Sequence, residues 1–124
     1  MKYFIAIGAA LAFLSVAFGA FGAHILKERI SARYLAIYQT GVQYQMVHSL
    51  GLILVGILAT VVFRTQTQWL TSSAWLMLIG IVLFSGSLYV LSISGITWLG
   101  AITPFGGVAF LAAWALVIIA AVRS

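Results

Sequence analysis

The chain has 124 residues, of which 65% are hydrophobic and 6% charged, and its mean hydropathy is +1.22. Soluble domains carry about a quarter of charged residues and are excluded, while the length leaves room for one small domain. The net charge is +5, but Lys2, Lys27, Arg29, Arg33, Arg64 and Arg123 all fall at or near the ends of apolar stretches, which points to lipid headgroups and not to nucleic acid.

Four stretches are long enough to cross a hydrocarbon core about 30 Å thick, which takes roughly 20 helical residues. The first, from about Tyr3 to Ala23, follows Lys2 and ends in small residues as a secretory signal does, but its apolar run is longer than a signal core and it reads as a retained helix. His24 to Thr40 carries Lys27, Glu28, Arg29 and Arg33 among Leu26, Ile30, Tyr34 and Ile37, the pattern of a short amphipathic segment at the interface. A second helix is predicted over 41–63 and a hydrophilic turn over 64–68, with Trp69 as an interfacial aromatic. The third helix covers 70–94 and stops at Gly95. The fourth covers 98–122, either beginning near Thr97 and kinking at Pro104 or capped by Thr103 with Pro104 in its first turn. Short connections force antiparallel neighbours, so residues 1–124 read as one all-α domain, an antiparallel four-helix transmembrane bundle.

Depth brings polar residues together. Counting from Gly41 at ~1.5 Å per residue, His48 lies roughly 10 Å below the surface that carries the first connection, and Ser85 on the returning helix about 8 Å below it. Tyr44, Gln45, His48, Ser85, Ser87 and Tyr89 are therefore expected in one leaflet, with His48 in reach of Ser85 or Tyr89, and the opposite leaflet is expected to be apolar. Ser15, Gly19, Gly22, Gly86, Pro104, Gly106 and Gly107 are read as packing residues that let helix backbones approach. Ala12, Ser15 and Gly19 form the small face expected inside the bundle. Ser85 and Ser87 can bond their own helix, but Gln45 and His48 share a face and need partners from elsewhere, as interhelical glue or as a binding site. Glu28 is expected to pair locally with Lys27 and Arg29.

Several chemistries lack their parts. There is one acid, no cysteine and two histidines 24 positions apart, which gives no carboxylate pair and a poor metal site. A serine nucleophile needs a base and an orienting group. No enzyme, no cofactor and no metal are expected.

The ordered segments Gly19-Ala-Phe-Gly-Ala-His24, Tyr44-Gln-Met-Val-His48, Leu83-Phe-Ser-Gly-Ser-Leu-Tyr89 and Gly100-Ala-Ile-Thr-Pro-Phe-Gly-Gly107 resemble the YgdD/YwdK-like family of small bacterial membrane proteins (DUF423), grouped also with animal transmembrane protein 256. The resemblance implies a four-helix integral membrane protein and carries over no catalytic residue. The leading functional expectation is a polar pocket in one leaflet, built from Tyr44, Gln45, His48, Ser85, Ser87 and Tyr89, that binds or admits a small molecule, ion or lipid headgroup, with Lys27, Arg29 and Arg33 at its mouth. A structural or assembly factor without a ligand, and a small channel, are the alternatives. Membrane lipids are the expected partners, a homo-oligomer is compatible with the pattern, and charge counting favours the plasma (inner) membrane with both termini cytoplasmic.

Overall fold

The computed structural model describes residues 1–124, all helical apart from short connections. Four helices are long and apolar enough to cross a membrane: span 1, Lys2–Glu28; span 2, Ala32–Val62; span 3, Arg64–Ser94; and span 4, Thr97–Arg123. Spans 2 and 3 hold 31 residues each, about 46 Å of helix against a ~30 Å core, so their ends reach into the headgroup layers or the helices tilt.

Helix 2 begins nine residues before the expected Gly41. Ser31 has the extended φ and ψ of an N-cap (−64°, 159°) and its Oγ accepts the Tyr34 amide at 3.2 Å. Nothing between Ala32 and Gly41 breaks a helix, so the amphipathic residues form the first turns of span 2 and only a 3-10 turn, Leu26–Glu28, lies before it. In span 4, a 3-10 turn over Thr97–Ala101 precedes the α-helix Thr103–Arg123. Pro104 sits in its first turn, as the second of the two alternatives has it, but the Thr103 hydroxyl does not cap; it bonds Ser87 on span 3.

Span 2 packs chiefly on span 1, span 4 on span 3, and spans 2 and 3 meet along the middle. The main core, which includes Leu52, Val55, Leu70, Met77 and Ala113, comes from spans 2, 3 and 4. A smaller cluster of Leu26, Tyr38 and Val42 closes the end beneath the first connection. Lipid tails are as apolar as these side chains, so association rests on close packing and interhelical hydrogen bonds. Small residues permit the closeness. In the α-helical part of span 1, Lys2–His24, the buried residues are Gly8, Ser15 and Gly22, seven apart, which replaces the expected Ala12–Ser15–Gly19 face. A Cβ on Gly8 would lie 2.7 Å from the Ser49 carbonyl and one on Gly22 2.6 Å from the Tyr38 ring, whereas one on Gly19 would meet Val42 at an ordinary 3.5 Å. Gly106 lies against the Phe84 backbone. Gly107 is in loose contact with Phe84, Pro104 is exposed, and Gly86 faces open space, so Gly86 does not serve packing.

Span 3 contains a π-helical turn, Ile81–Ser85. The extra residue shifts the phase of the next turns by about 100° relative to an unbroken α-helix. It lies beside the Phe84–Gly106 contact and ends at Ser85, which is fully buried against span 2.

Candidate functional site

Gln45 leaves span 2 towards spans 1 and 3 and is 2% exposed. Its Nε2 donates to the Leu11 carbonyl at 2.8 Å and its Oε1 accepts the Tyr89 hydroxyl at 2.6 Å. Leu11 offers an acceptor and the phenol offers its proton, so only this amide orientation satisfies both ends. The Tyr38 hydroxyl donates to Phe18 O at 2.6 Å and Ser85 Oγ to Gly41 O at 2.7 Å. Three spans are thereby joined through side chains that reach helix carbonyls across each contact.

His48, one turn further along span 2, faces span 4. Its Nδ1 is 2.8 Å from the Tyr44 carbonyl and its Nε2 is 3.0 Å from Trp114 Nε1. Indole N–H only donates, so Nε2 is the acceptor and Nδ1 carries the proton that goes to Tyr44 O. The ring stacks on Phe110 with centroids 3.5 Å apart and planes 11° from parallel. Both ring nitrogens of the neutral imidazole are therefore occupied. Neither Ser85 nor Tyr89, the expected partners, meets His48: Ser85 donates to the Gly41 carbonyl and Tyr89 to Gln45, two turns and one turn nearer the first connection. Trp114 lies nine residues before Arg123, roughly 14 Å along the helix, which sets the pair near the middle of the core. Trp114 had a signal in the sequence. A tryptophan at mid-membrane is far from the interfacial belt, and its buried N–H needs an acceptor.

The six expected pocket residues thus separate into three groups. Tyr44 and His48 face span 4; Gln45, Ser85 and Tyr89 lie where spans 1, 2 and 3 meet; and Ser87 Oγ bonds Thr103 Oγ1 at 2.6 Å between spans 3 and 4. The opposite leaflet is less apolar than expected, since the fully buried Ser73 donates to Ala113 O at 2.8 Å.

Beside His48 a groove of about 450 Å³ runs between spans 2 and 4, from Pro104 and Tyr44 past Gly107, Val108 and Leu111 to Trp114, with Phe84 and Phe110 as its floor. Tyr44 is 40% exposed there. Tyr38 and Tyr89 donate their hydroxyls to other helices. The Tyr44 hydroxyl, in the same leaflet, has no partner within the protein. Phe84, Phe110 and Trp114 are the groove residues that the polar pattern of the sequence could not single out.

At the first connection Lys27, Glu28, Arg29 and Arg33 are all exposed. The expected pairing of Glu28 does not occur, as no cation lies within 4.0 Å of it. On the other face Arg123 lies over the Trp69 ring at 5.6 Å and Lys2 over Tyr3 at 5.3 Å.

Comparison with known proteins places the four signature segments in context. The family described as "Protein of unknown function (DUF423)" matches residues 18–107, a stretch that contains all four. The chain is 52% identical over 123 residues to the UPF0382 membrane protein YwdK of Bacillus subtilis, covering 99% of this chain and 98% of the relative. It is 44% identical over 119 residues to the UPF0382 membrane protein SH2409 of Staphylococcus haemolyticus, covering 96% and 94%. With the UPF0382 inner membrane protein YgdD of Escherichia coli it shares 40% over 122 residues, covering 98% and 91%. No solved structure matches the chain. Four apolar helices, near-full-length relatives that are membrane proteins and the family match agree: this is a multi-pass membrane protein that belongs to the DUF423 (UPF0382) family.

Proposed function

We propose that the protein acts by holding a membrane lipid and not by catalysis, with one hydrocarbon chain in the groove between spans 2 and 4 and the Tyr44 hydroxyl donating to an ester carbonyl of that lipid. The observation that carries this reading is the unpartnered Tyr44 phenol on the wall of an otherwise apolar groove. Side chains of helical residues lean towards the N-terminus, so Tyr44 reaches up towards the first connection, where lipid esters lie.

A polar small molecule or an ion is less well matched, because Gln45, His48, Ser85 and Tyr89 already bond one another or the backbone. A catalytic role is disfavoured for the same reason. The His48 Nε2 holds an indole proton and faces no hydroxyl, and the one carboxylate, Glu28, is outside the apolar part of the spans. The saturated interior is also what a ligand-free structural protein needs, which keeps that reading as the alternative. Both termini are assigned to the cytoplasm: Lys2, Arg64 and Arg123 stand on one face without an acidic side chain, whereas Glu28 offsets one of the three cations on the other.

The test is native mass spectrometry of the protein released from bilayers of phosphatidylcholine alone, whose headgroup carries no net charge. A retained lipid is expected in the native chain, weakened in Tyr44→Phe and lost in Val108→Trp, which fills the groove at a residue 64% exposed and so leaves the helix contacts alone. Retention that survives Val108→Trp would overturn the groove assignment, and no retained lipid at all would favour the structural alternative.

A further inference from the structure

A second slot lies elsewhere, under the basic connection. It holds about 200 Å³ and is lined by Phe18, Phe21, Tyr38, Tyr89 and Ile93 from spans 1, 2 and 3. Its two tyrosines turn their hydroxyls away, to the Phe18 carbonyl and to Gln45, and leave ring surface as the wall. The rings are held against one another, with Phe18 and Tyr89 edge to face at 5.4 Å and Tyr38 and Tyr89 at 5.3 Å.

The connection is pinned over this slot. Leu26 is 7% exposed in the cluster with Tyr38, and Ile30 packs on that cluster together with Phe18 and Tyr89. Lys27 and Arg29 adjoin these two anchors in the chain, within ~4 Å between consecutive Cα atoms, and Arg33 stands in the first turn of span 2. All three cations are exposed and none is paired with Glu28.

We infer that the slot and the connection together form a site for one anionic phospholipid, its phosphate among Lys27, Arg29 and Arg33 and the upper part of one chain against Phe18, Phe21, Tyr38, Tyr89 and Ile93. Moving a chain from bilayer to slot removes no apolar surface from water, so the slot supplies position and little preference. Preference comes from charge. Three cations against one acid attract a headgroup that is net negative, while the ammonium of a zwitterionic lipid would add a fourth positive charge at the same place. This site is independent of the Tyr44 groove and carries a different selectivity.

The full-length protein is reconstituted in vesicles of phosphatidylglycerol and phosphatidylcholine in equal amounts with identical chains, and the lipids it retains are weighed by native mass spectrometry. One retained phosphatidylglycerol is expected beyond any lipid held in the Tyr44 groove, enriched about fivefold over phosphatidylcholine, as one net favourable cation–headgroup contact would give. The triple change Lys27→Gln, Arg29→Gln, Arg33→Gln should abolish the enrichment. Ile93→Trp, or the milder Ile93→Phe, should reduce retention with the charges intact; residue 93 is 60% exposed and its enlargement leaves the bundle folded. The change Lys2→Gln, Arg64→Gln, Arg123→Gln on the far face should have no effect. Equal loss in the far-face variant would show general surface attraction and overturn the site. Retention unmoved by both Ile93 variants, or displacement by glycerol phosphate without chains, would overturn the slot. Loss of the phosphatidylglycerol enrichment in Val108→Trp would move the selective lipid to the Tyr44 groove, which defeats this inference and leaves the proposed function standing.

Discussion

Gln45 and His48 are one turn apart on span 2, yet they take different partners: Gln45 bonds spans 1 and 3, whereas His48 bonds its own helix and span 4, and each does so with both of its polar ends. An interhelical bond in a membrane is worth about 0.6 kcal/mol on average and up to about 1.7. A double-mutant cycle of Gln45→Leu and Tyr89→Phe, measured by unfolding in mixed micelles, should therefore give a coupling of roughly 1 kcal/mol. A coupling near zero would mean that the bond is not made. His48→Ala should be more damaging than Trp114→Phe, because it strands the buried indole N–H, at a cost of about 1–3 kcal/mol, and also removes the stack on Phe110. Trp114→Phe leaves the His48 acceptor without its donor but keeps an aromatic ring in place. Equal effects of the two would show that the stack contributes nothing.

Between elements, the glycines divide by what faces them. Gly106 lies against Phe84 backbone atoms, which cannot give way as a side-chain tip can, so Gly106→Ala should destabilise by about 1–3 kcal/mol, as overpacking does. Gly86 faces open space, and Gly86→Ala should be neutral or stabilising by up to about 1 kcal/mol through helix propensity. Melting temperatures in one detergent compare the two directly; destabilisation of similar size would mean that the helices sit differently. Along span 1, Gly22→Leu should disrupt the fold more than Gly19→Leu, since the Tyr38 ring fills the space at Gly22 and only Val42, at van der Waals distance, stands near Gly19. The segment Leu83–Tyr89 includes most of the π turn, and its residues divide between spans: Ser85 bonds span 2 while Ser87 bonds span 4.

At the scale of the whole molecule the charges leave two faces with three cations each, and the proposed orientation rests on Glu28. The chain lacks cysteine, so introduced ones report cleanly. With both termini cytoplasmic, Ala32→Cys at the start of span 2, beside the first connection, should react with an impermeant thiol reagent in intact cells and Thr65→Cys should not. Labelling of position 65 alone would reverse the assignment. Both positions are exposed and make no interhelical bond through the replaced atoms, so a failure to label reflects sidedness and not burial.

Apolar length and the position of charges by themselves determined four membrane spans, their alternation and the two short turns that join spans 2, 3 and 4, because in lipid every backbone group must be satisfied within its own helix and a run of about 20 residues leaves no other solution. The need of Gln45 and His48 for partners outside their own helix was legible for the same reason. Which partners they take was not. A boundary error of nine residues in helix 2, between Gly41 and Ala32, changes depth by about 14 Å, and rotation about each helix axis is set by contacts that a linear pattern does not contain. Only the packed structure decided that His48 turns to Trp114, that Ser85 and Tyr89 turn to Gly41 and Gln45, and that Gly8, Ser15 and Gly22 form the span 1 seam. The apolar surroundings are alike on every side of these helices, so hydrophobicity cannot choose a face, and the choice falls to the fit of small residues and the few hydrogen bonds that helices make with one another.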